Sequence, residues 1–146
     1  MNSAGVPINP FIVYVDDDPD DLMVIREALN KINPDLPLHE FKTGSEAFDF
    51  LEAIPEEGLL PSVVILDLNM PGWDGIQTLK ALKEKSSYQH IPVCIFTNSD
   101  HADHMANSFS AGASQFITKP YNHAQLMETC FTIVEYTRGA PQVKKS

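Results

Sequence analysis

The chain has 146 residues, of which 43% are hydrophobic and 21% are charged, values typical of one ordinary globular domain. Its formal net charge of -10 disfavours non-specific nucleic-acid binding, because the phosphate backbone would be repelled. No apolar stretch approaches the roughly 20 residues of a membrane helix, and residues 1–10 lack the basic start and apolar segment of a signal peptide. We therefore expect a cytoplasmic protein that binds neither nucleic acid nor membrane.

Strand and helix patterns alternate along the chain. In chain order, the predicted strands are residues 11–15, 38–42, 63–66, 93–96 and 115–118. A helix pattern follows each of them, opening near Asp18, Thr43, Gly75 and Asp100, with the last helix carrying Leu126 to Val134. Asp18 followed by Pro19 and Thr43 followed by Glu46 are N-terminal capping signals. Residues 1–9 and 138–146 are predicted to be a flexible lead and a flexible tail around a domain of residues 10–137.

The alternation predicts an α/β protein with a parallel sheet, right-handed crossovers and helices on both faces. The first, third and fourth strand patterns are wholly apolar, as expected of central strands, whereas the second and fifth are mixed and predict edge strands. This assignment fits the flavodoxin-like (βα)5 fold with strand order 2-1-3-4-5. Cys94 and Cys130 stand among apolar residues, and we interpret them as buried free thiols.

Residues that can bind a cation or a phosphate stand where four of the predicted strands end. Asp16 and Asp17 follow the first strand, Asp67 the third, Thr97 the fourth and Lys119 the fifth. In an open parallel sheet, ligands bind beyond the carboxyl ends of the strands, so we expect these side chains to converge. Taken singly, each acidic residue is better explained as a helix cap or the start of a turn. The coincidence at four strand ends favours a shared site instead.

The converging residues suit one Mg²⁺ ion and one phosphoryl group. Three crowded carboxylates repel one another, and a divalent cation with oxygen ligands relieves that repulsion. Lys119 and Thr97 can contact phosphoryl oxygens, while Asp67 can attack phosphorus, because carboxylates form aspartyl phosphates. Positioning and charge neutralisation are the main requirements of phosphoryl transfer. The pattern therefore predicts transfer of a phosphoryl group to Asp67.

Four segments carry a resemblance to a known family. They are Val-Tyr-Val-Asp-Asp-Asp-Pro-Asp-Asp at residues 13–21, Ile-Leu-Asp-Leu-Asn-Met-Pro-Gly-Trp-Asp-Gly at residues 65–75, Thr97, and Ala-Gly-Ala-Ser-Gln-Phe-Ile-Thr-Lys-Pro at residues 111–120. On these residues the chain resembles the receiver domain of two-component response regulators over about residues 10–137. The resemblance implies that Asp67 is the phosphoacceptor. It also implies that Asp17 binds Mg²⁺ directly, that Asp16 binds it largely through water and that Asn69 contributes its backbone carbonyl.

The same resemblance assigns the phosphate-binding and switch residues. Lys119 would contact the phosphoryl group, and its peptide bond to Pro120 is expected to be cis. Thr97 and Phe116 match the hydroxyl and aromatic residues that move together after phosphorylation, although Phe116 lacks the hydroxyl of the tyrosine found in many relatives. Asn98 is bulkier than the small residue often found beside that hydroxyl.

Residues 138–146 are too few for an output domain, so we expect a stand-alone receiver that signals by binding a partner. It is similar to the receivers paired with phytochrome-type and related hybrid kinases. The expected partners are a sensor histidine kinase or a histidine phosphotransfer protein, and a second copy bound through the fourth helix, fifth strand and fifth helix. We expect no enzyme activity beyond its own phosphorylation and dephosphorylation.

Two other classes of protein are considered. A phosphatase of the haloacid-dehalogenase type also uses an aspartyl nucleophile and Mg²⁺, but its Asp-x-Asp-x-Thr pattern after the first strand is not matched, since Pro19 and Asp20 follow Asp18. A phosphorylation-independent interaction module would have no need of the acidic set. Phosphomonoester turnover would favour the first class, and failure to bind Mg²⁺ the second.

Overall fold

The computed structural model of the protein describes residues 9–70, 72–98, 101–138 and 143–145. Strands and helices alternate throughout, as the sequence pattern predicts. In chain order they are β1 (Ile12–Val15), α1 (Pro19–Ile32), β2 (Leu38–Phe41), α2 (Gly44–Ala53), β3 (Val63–Leu66), α3 (Gly75–Glu84), β4 (Val93–Thr97), α4 (Ala102–Ser110), β5 (Gln115–Thr118) and α5 (His123–Glu135).

All five strands are parallel and form one sheet in the order β2-β1-β3-β4-β5, which confirms the predicted flavodoxin-like topology. Strands β1, β3 and β4 are buried along their whole length. Strands β2 and β5 are only partly buried and lie at the two edges. The mixed composition of the edge strands thus reflects their partial contact with solvent.

A separate apolar core lies on each face of the sheet. Helices α2 and α3 cover one face, where side chains such as Leu51 and Leu79 pack against Val64 and Ile95. Helices α1 and α5 cover the other. The two cysteines belong to this second core as buried free thiols, as predicted. No helix in the described part of the chain is long and apolar enough to cross a bilayer.

The predicted helix starts have the expected caps. Asp18 accepts a hydrogen bond from the Asp20 backbone N–H over 2.9 Å, and Thr43 accepts one from that of Glu46 over 3.2 Å. Each side-chain oxygen satisfies a backbone donor that the first turn of a helix leaves unpaired. Local sequence therefore determines where α1 and α2 begin.

Helix α4 is the most exposed of the five helices. Ser108 is its one buried residue, and its large apolar residues Met105 and Phe109 are exposed. The predicted start at Asp100 lies outside the described residues, and the helix begins at Ala102. Helix α4 therefore presents apolar surface to solvent.

The prediction of a flexible tail is wrong for residues 143–145. Leu59 and Lys144 form an antiparallel bridge, with the Leu60 N–H donating to the Val143 carbonyl and the Lys145 N–H to the Gly58 carbonyl. The Lys145 ammonium also donates to three main-chain carbonyls at the end of α2, 2.8–2.9 Å away. The composition of the tail could not predict these backbone pairings, because the partner residues lie more than 80 positions earlier in the chain. Residues 1–8 of the predicted lead and residues 139–142 and 146 of the predicted tail lie outside the described residues.

Candidate functional site

The carboxyl ends of β1, β3 and β5 bring four charged residues together. Asp16, Asp17 and Asp67 each place a carboxylate oxygen within 4.8 Å of those of the other two. The Lys119 ammonium lies 3.5 Å from Asp67 Oδ2 and 3.0 Å from Asp16 Oδ2. This convergence is what strand-end positions in a parallel sheet predict.

Asp16 is fully buried and has hydrogen bonds at both carboxylate oxygens. Its Oδ1 accepts from the Asp18 backbone N–H over 3.0 Å. Its Oδ2 accepts from the Tyr14 hydroxyl over 2.9 Å as well as from Lys119. These donors offset the cost of burying a carboxylate. Asp17, by contrast, is exposed and presents its carboxylate at the rim.

Asp67 is the buried carboxylate at the end of β3, with 5% of its surface exposed. Burial raises its pKa to about 6, Asp16 adds to the rise, and Lys119 opposes it. The Asn69 backbone N–H lies 3.4 Å from Asp67 Oδ1. A side chain at Gly75 would place its Cβ 2.3 Å from the Asp67 carbonyl oxygen, so glycine is needed for α3 to approach the end of β3 this closely.

Lys119 is 8% exposed and contacts three carboxylates. Besides Asp16 and Asp67, its ammonium lies 2.6 Å from Asp21 Oδ2. Burial alone would lower the pKa of Lys119, but its hydrogen bonds to Asp21 and Asp16 and the charge of Asp67 raise it above the usual value. The ammonium is therefore held in its charged form. The Lys119 backbone N–H also donates to the Thr97 backbone carbonyl over 2.7 Å.

The predicted switch residues lie on adjacent strands. Thr97, at the end of β4, is fully buried and pairs with Thr118 of β5. Phe116 pairs with Ile95 and packs, half-buried, against the same core as Ile95. Side chains two residues apart on a strand share a face, so Thr97 and Phe116 lie on one side of the sheet. Asn98 is exposed beyond the end of β4.

The expected cis peptide bond before Pro120 is wrong. The described residues contain no cis peptide bond, and the Lys119–Pro120 bond is trans. The trans form is the intrinsically preferred one even before proline, by about 0.5–1 kcal/mol. Lys119 reaches all three carboxylates with this bond trans.

Sequence reasoning did not assign roles to two residues in this site, Tyr14 and Asp21. Tyr14 stands in an apolar strand and reads as core, but its hydroxyl points along the strand to Asp16. Asp21 reads as a polar residue in the first turn of α1. Helical spacing gave no signal for it, because Asp17 and the N-cap Asp18 precede Pro19, the first residue of α1.

Two aromatic contacts lie outside the acidic site. Trp73 is 38% exposed, and its ring lies edge-on to Phe48 of α2, 5.7 Å between centroids. It therefore packs beside α2 as well as meeting solvent. His101, the N-cap of α4, and His104 have ring centroids 5.4 Å apart, and both residues are exposed.

Comparison with known proteins identifies the family. The family description "Response regulator receiver domain" matches residues 12–131. The chain belongs to this family. This receiver domain is 29% identical over 133 residues to the probable methanogenesis regulatory protein FilR2 of Methanothrix harundinacea, a match covering 90% of this chain and 86% of that protein. Several other curated relatives are longer, and the chain spans 34% of one and 15% of another.

Solved structures of response regulators have the same fold as this receiver domain. The phosphorylated cyanobacterial phytochrome response regulator RcpA is 28% identical, with a TM-score of 0.80 over 92% of this chain and 98% of that one. The Mn²⁺-bound response regulator Rcp1 is 26% identical, with a TM-score of 0.78 over 92% and 99% of the two chains. The expected resemblance to regulators of the phytochrome type is therefore confirmed.

The carboxylates of this receiver domain fit a hard divalent cation. Asp16, Asp17 and Asp67 contribute oxygen donors only, the ligand type that Mg²⁺ prefers. Asp17 and Asn69 are exposed at the rim, so a cation can reach the cluster from solvent. Burial is the main cause of the raised pKa of Asp67, and the charge of Asp16 adds to it; a bound cation would relieve this repulsion between carboxylates.

Proposed function

We propose that this receiver domain accepts a phosphoryl group on Asp67, in a Mg²⁺-dependent reaction, from a sensor histidine kinase or a histidine phosphotransfer protein. One observation carries the proposal: Asp67 is a nearly buried carboxylate that converges with Asp16 and Asp17 and lies 3.5 Å from the Lys119 ammonium. Family membership supports the same role. We expect the protein to catalyse only its own phosphorylation and dephosphorylation.

The transfer is a displacement at phosphorus. An Asp67 carboxylate oxygen forms a bond to phosphorus while the bond between phosphorus and the donor breaks, and the bonding electrons leave with the donor. For a phosphohistidine donor they return to the imidazole nitrogen, which takes a proton from solvent. Lys119 is placed to contact the transferred group, since its ammonium already touches the Asp67 carboxylate. Such charge-assisted contacts stabilise the charge on the phosphoryl oxygens in the transition state.

Asp16, Asp17, Asp67 and the Asn69 carbonyl would hold the Mg²⁺ ion, which would neutralise part of the charge of the carboxylates and phosphoryl oxygens. Asp16 already has donors on both oxygens, which suits an indirect contact through water. Asp17 is exposed and suits direct ligation. One Asp67 oxygen would bind the ion, and the other would remain available to attack phosphorus.

We infer that the output is a phosphorylation-dependent protein contact. Thr97 lies at the end of β4 beside Lys119, so its hydroxyl can move toward a phosphoryl group, and Phe116 can then turn into the space on the same side of the sheet. Both changes border α4, whose apolar residues Met105 and Phe109 are 40% and 47% exposed. Strand β5 is also an edge that can pair with another chain. The face of α4, β5 and α5 is thus the proposed surface for a partner or a second copy.

Incubation with Mg²⁺ and acetyl phosphate tests the proposed acceptor. We expect one acid-stable, base-labile phosphoryl group, measured by intact mass, which Asp67→Asn abolishes because an amide is a poor nucleophile. Asp20→Asn removes an exposed carboxylate of α1 and is the matched control, expected to retain labelling. Labelling that persists in Asp67→Asn at the same stoichiometry contradicts the assignment. Steady turnover of phosphomonoesters would point instead to a phosphatase.

A further inference from the structure

The Lys119 ammonium is shared unequally among three carboxylates. Its nitrogen lies 2.6 Å from Asp21 Oδ2, 3.0 Å from Asp16 Oδ2 and 3.5 Å from Asp67 Oδ2. Asp21 is thus the nearest acceptor, although it comes from the first turn of α1 and its side chain is one-third exposed. Among the described residues it is not a member of the carboxylate group that converges on the cation site. Its contact with the site is through Lys119.

An ammonium has three N–H groups to donate, and three carboxylates already receive them. To contact a phosphoryl oxygen on Asp67, Lys119 must weaken at least one of these bonds. Asp16 shares its acceptor oxygen with Tyr14 and is fixed by burial. Asp67 loses the negative charge of one oxygen when that oxygen bonds to phosphorus. The short contact with Asp21 therefore offers the main competition for the ammonium.

We propose that Asp21 is a positioning residue that holds Lys119 toward α1 and competes with the phosphoryl group on Asp67 for its ammonium. This inference rests on the proposed function of Asp67. Replacing Asp21 with Asn keeps the size and an oxygen acceptor but removes the charge, so the hold on Lys119 weakens. Lys119 then contacts the transferring group more closely, and phosphorylation becomes faster.

The test is the second-order rate constant for Asp67 labelling by acetyl phosphate at saturating Mg²⁺, a reaction in which the acetate oxygen keeps the electrons of the broken P–O bond. We expect Asp21→Asn to raise it about threefold to tenfold, the scale of one charged hydrogen bond with partial solvent screening. Asp20→Asn makes the same charge change one residue away. Because it removes only a screened surface charge, we expect it to change the rate constant by less than about twofold. This comparison separates the contact with Lys119 from reduced repulsion of the anionic donor.

A double-mutant cycle and a spectroscopic measurement show whether the effect passes through Lys119. In a Lys119→Gln background, Asp21→Asn should have no more effect than Asp20→Asn. In the unphosphorylated protein, the ¹⁵Nζ resonance of Lys119 should shift in Asp21→Asn and stay in place in Asp20→Asn. Equal rates in wild type and Asp21→Asn, an undiminished effect without Lys119, or an unmoved resonance overturns the inference. A wild-type protein that takes no label refutes the proposed function itself.

Discussion

The Tyr14 hydroxyl donates a hydrogen bond to Asp16 Oδ2 over 2.9 Å, and both residues are completely buried. The bond runs along one strand, between side chains two residues apart on the same face. Burial and the charge of Asp16 raise the pKa of Tyr14 far above its usual value, so the hydroxyl remains a donor. A residue of the apolar core, Tyr14, therefore holds the Asp16 carboxylate of the acidic site in position.

Tyr14→Phe removes this donor and leaves a buried carboxylate with one bond fewer. We expect it to lower the free energy of unfolding by about 1.5–3 kcal/mol, the range for hydrogen bonds to charged groups. Tyr88→Phe is the matched control: its hydroxyl donates over 3.1 Å to Glu52, which is exposed and keeps its contact with Lys85, so the loss should be below about 1 kcal/mol. Urea unfolding measures both, and equal losses would contradict the buried anchor.

The pKa of Asp67 predicts how the stability of the metal-free protein depends on pH. Burial raises this pKa from an ordinary 3.8 to about 6, so the folded state binds the proton more tightly than the unfolded chain. The resulting stabilisation is complete below about pH 4 and is lost as pH rises to about 6, by up to about 3 kcal/mol.

Asp67→Asn does not titrate and reveals the contribution by difference. With a chelator present, wild type should lose stability relative to Asp67→Asn between pH 4 and pH 6.5, measured by urea unfolding at each pH. Above that window the variant should be the more stable protein, and Mg²⁺ should reduce the gap. Parallel pH profiles for the two proteins would show that burial does not strain this carboxylate.

Asp17→Asn tests the exposed ligand of the proposed Mg²⁺ site. Loss of one carboxylate should weaken Mg²⁺ binding at least about tenfold, measured by calorimetry or by the fluorescence of Trp73. The control Asp20→Asn makes the same charge change outside the converging carboxylates and should leave the affinity within about twofold, as expected of a screened surface charge. Equal affinities for Asp17→Asn and wild type would exclude direct ligation by Asp17.

Local sequence predicted the sheet and most of the site because both depend on local signals. A strand buried on two faces must be apolar, and parallel strands place their following residues at one edge, so Asp16 and Asp67 could be located before the structure. The contacts of Tyr14, Asp21 and Lys145 could not, because a local pattern records residue type and not the partner. Asp21 meets Lys119 across 98 positions, a relationship that only the folded chain determines.

Phe109→Glu tests the proposed output face. The new charge lies on exposed apolar surface of α4 and should weaken phosphorylation-dependent self-association or partner binding at least about tenfold, as for a central apolar contact. Met23→Glu on α1 is matched in exposure, 44% against 47%, and should leave binding intact. Both should retain Asp67 labelling. Sedimentation with and without acetyl phosphate measures the assembly, and identical behaviour of the wild type in both conditions would refute this output.

Lys145→Met tests the contact between the chain's last described segment and α2. Helix α2 has no basic residue in its last turn, and Lys145 donates to the carbonyls of Leu51, Glu52 and Ile54. Its loss should lower the unfolding free energy by about 1 kcal/mol and accelerate hydrogen exchange at the Ile54 amide. Lys144→Met removes only an exposed ion pair with Glu57 at 3.7 Å and should change neither. Unchanged exchange in Lys145→Met would show that α2 ends stably without it.

The contact of Lys145 also bears on the order in which the protein is made. The lysine follows the three carbonyls it binds by 91 to 94 positions, so a ribosome completes α2 and all five strands before this donor exists. Until Lys145 is added, the last turn of α2 lacks this donor, although the Leu51 carbonyl already accepts a hydrogen bond from the Ile54 N–H. The contact between Lys145 and α2 forms only after the residues of all five strands have been synthesised. Like other long-range contacts, it therefore forms late relative to the position of α2 in the sequence.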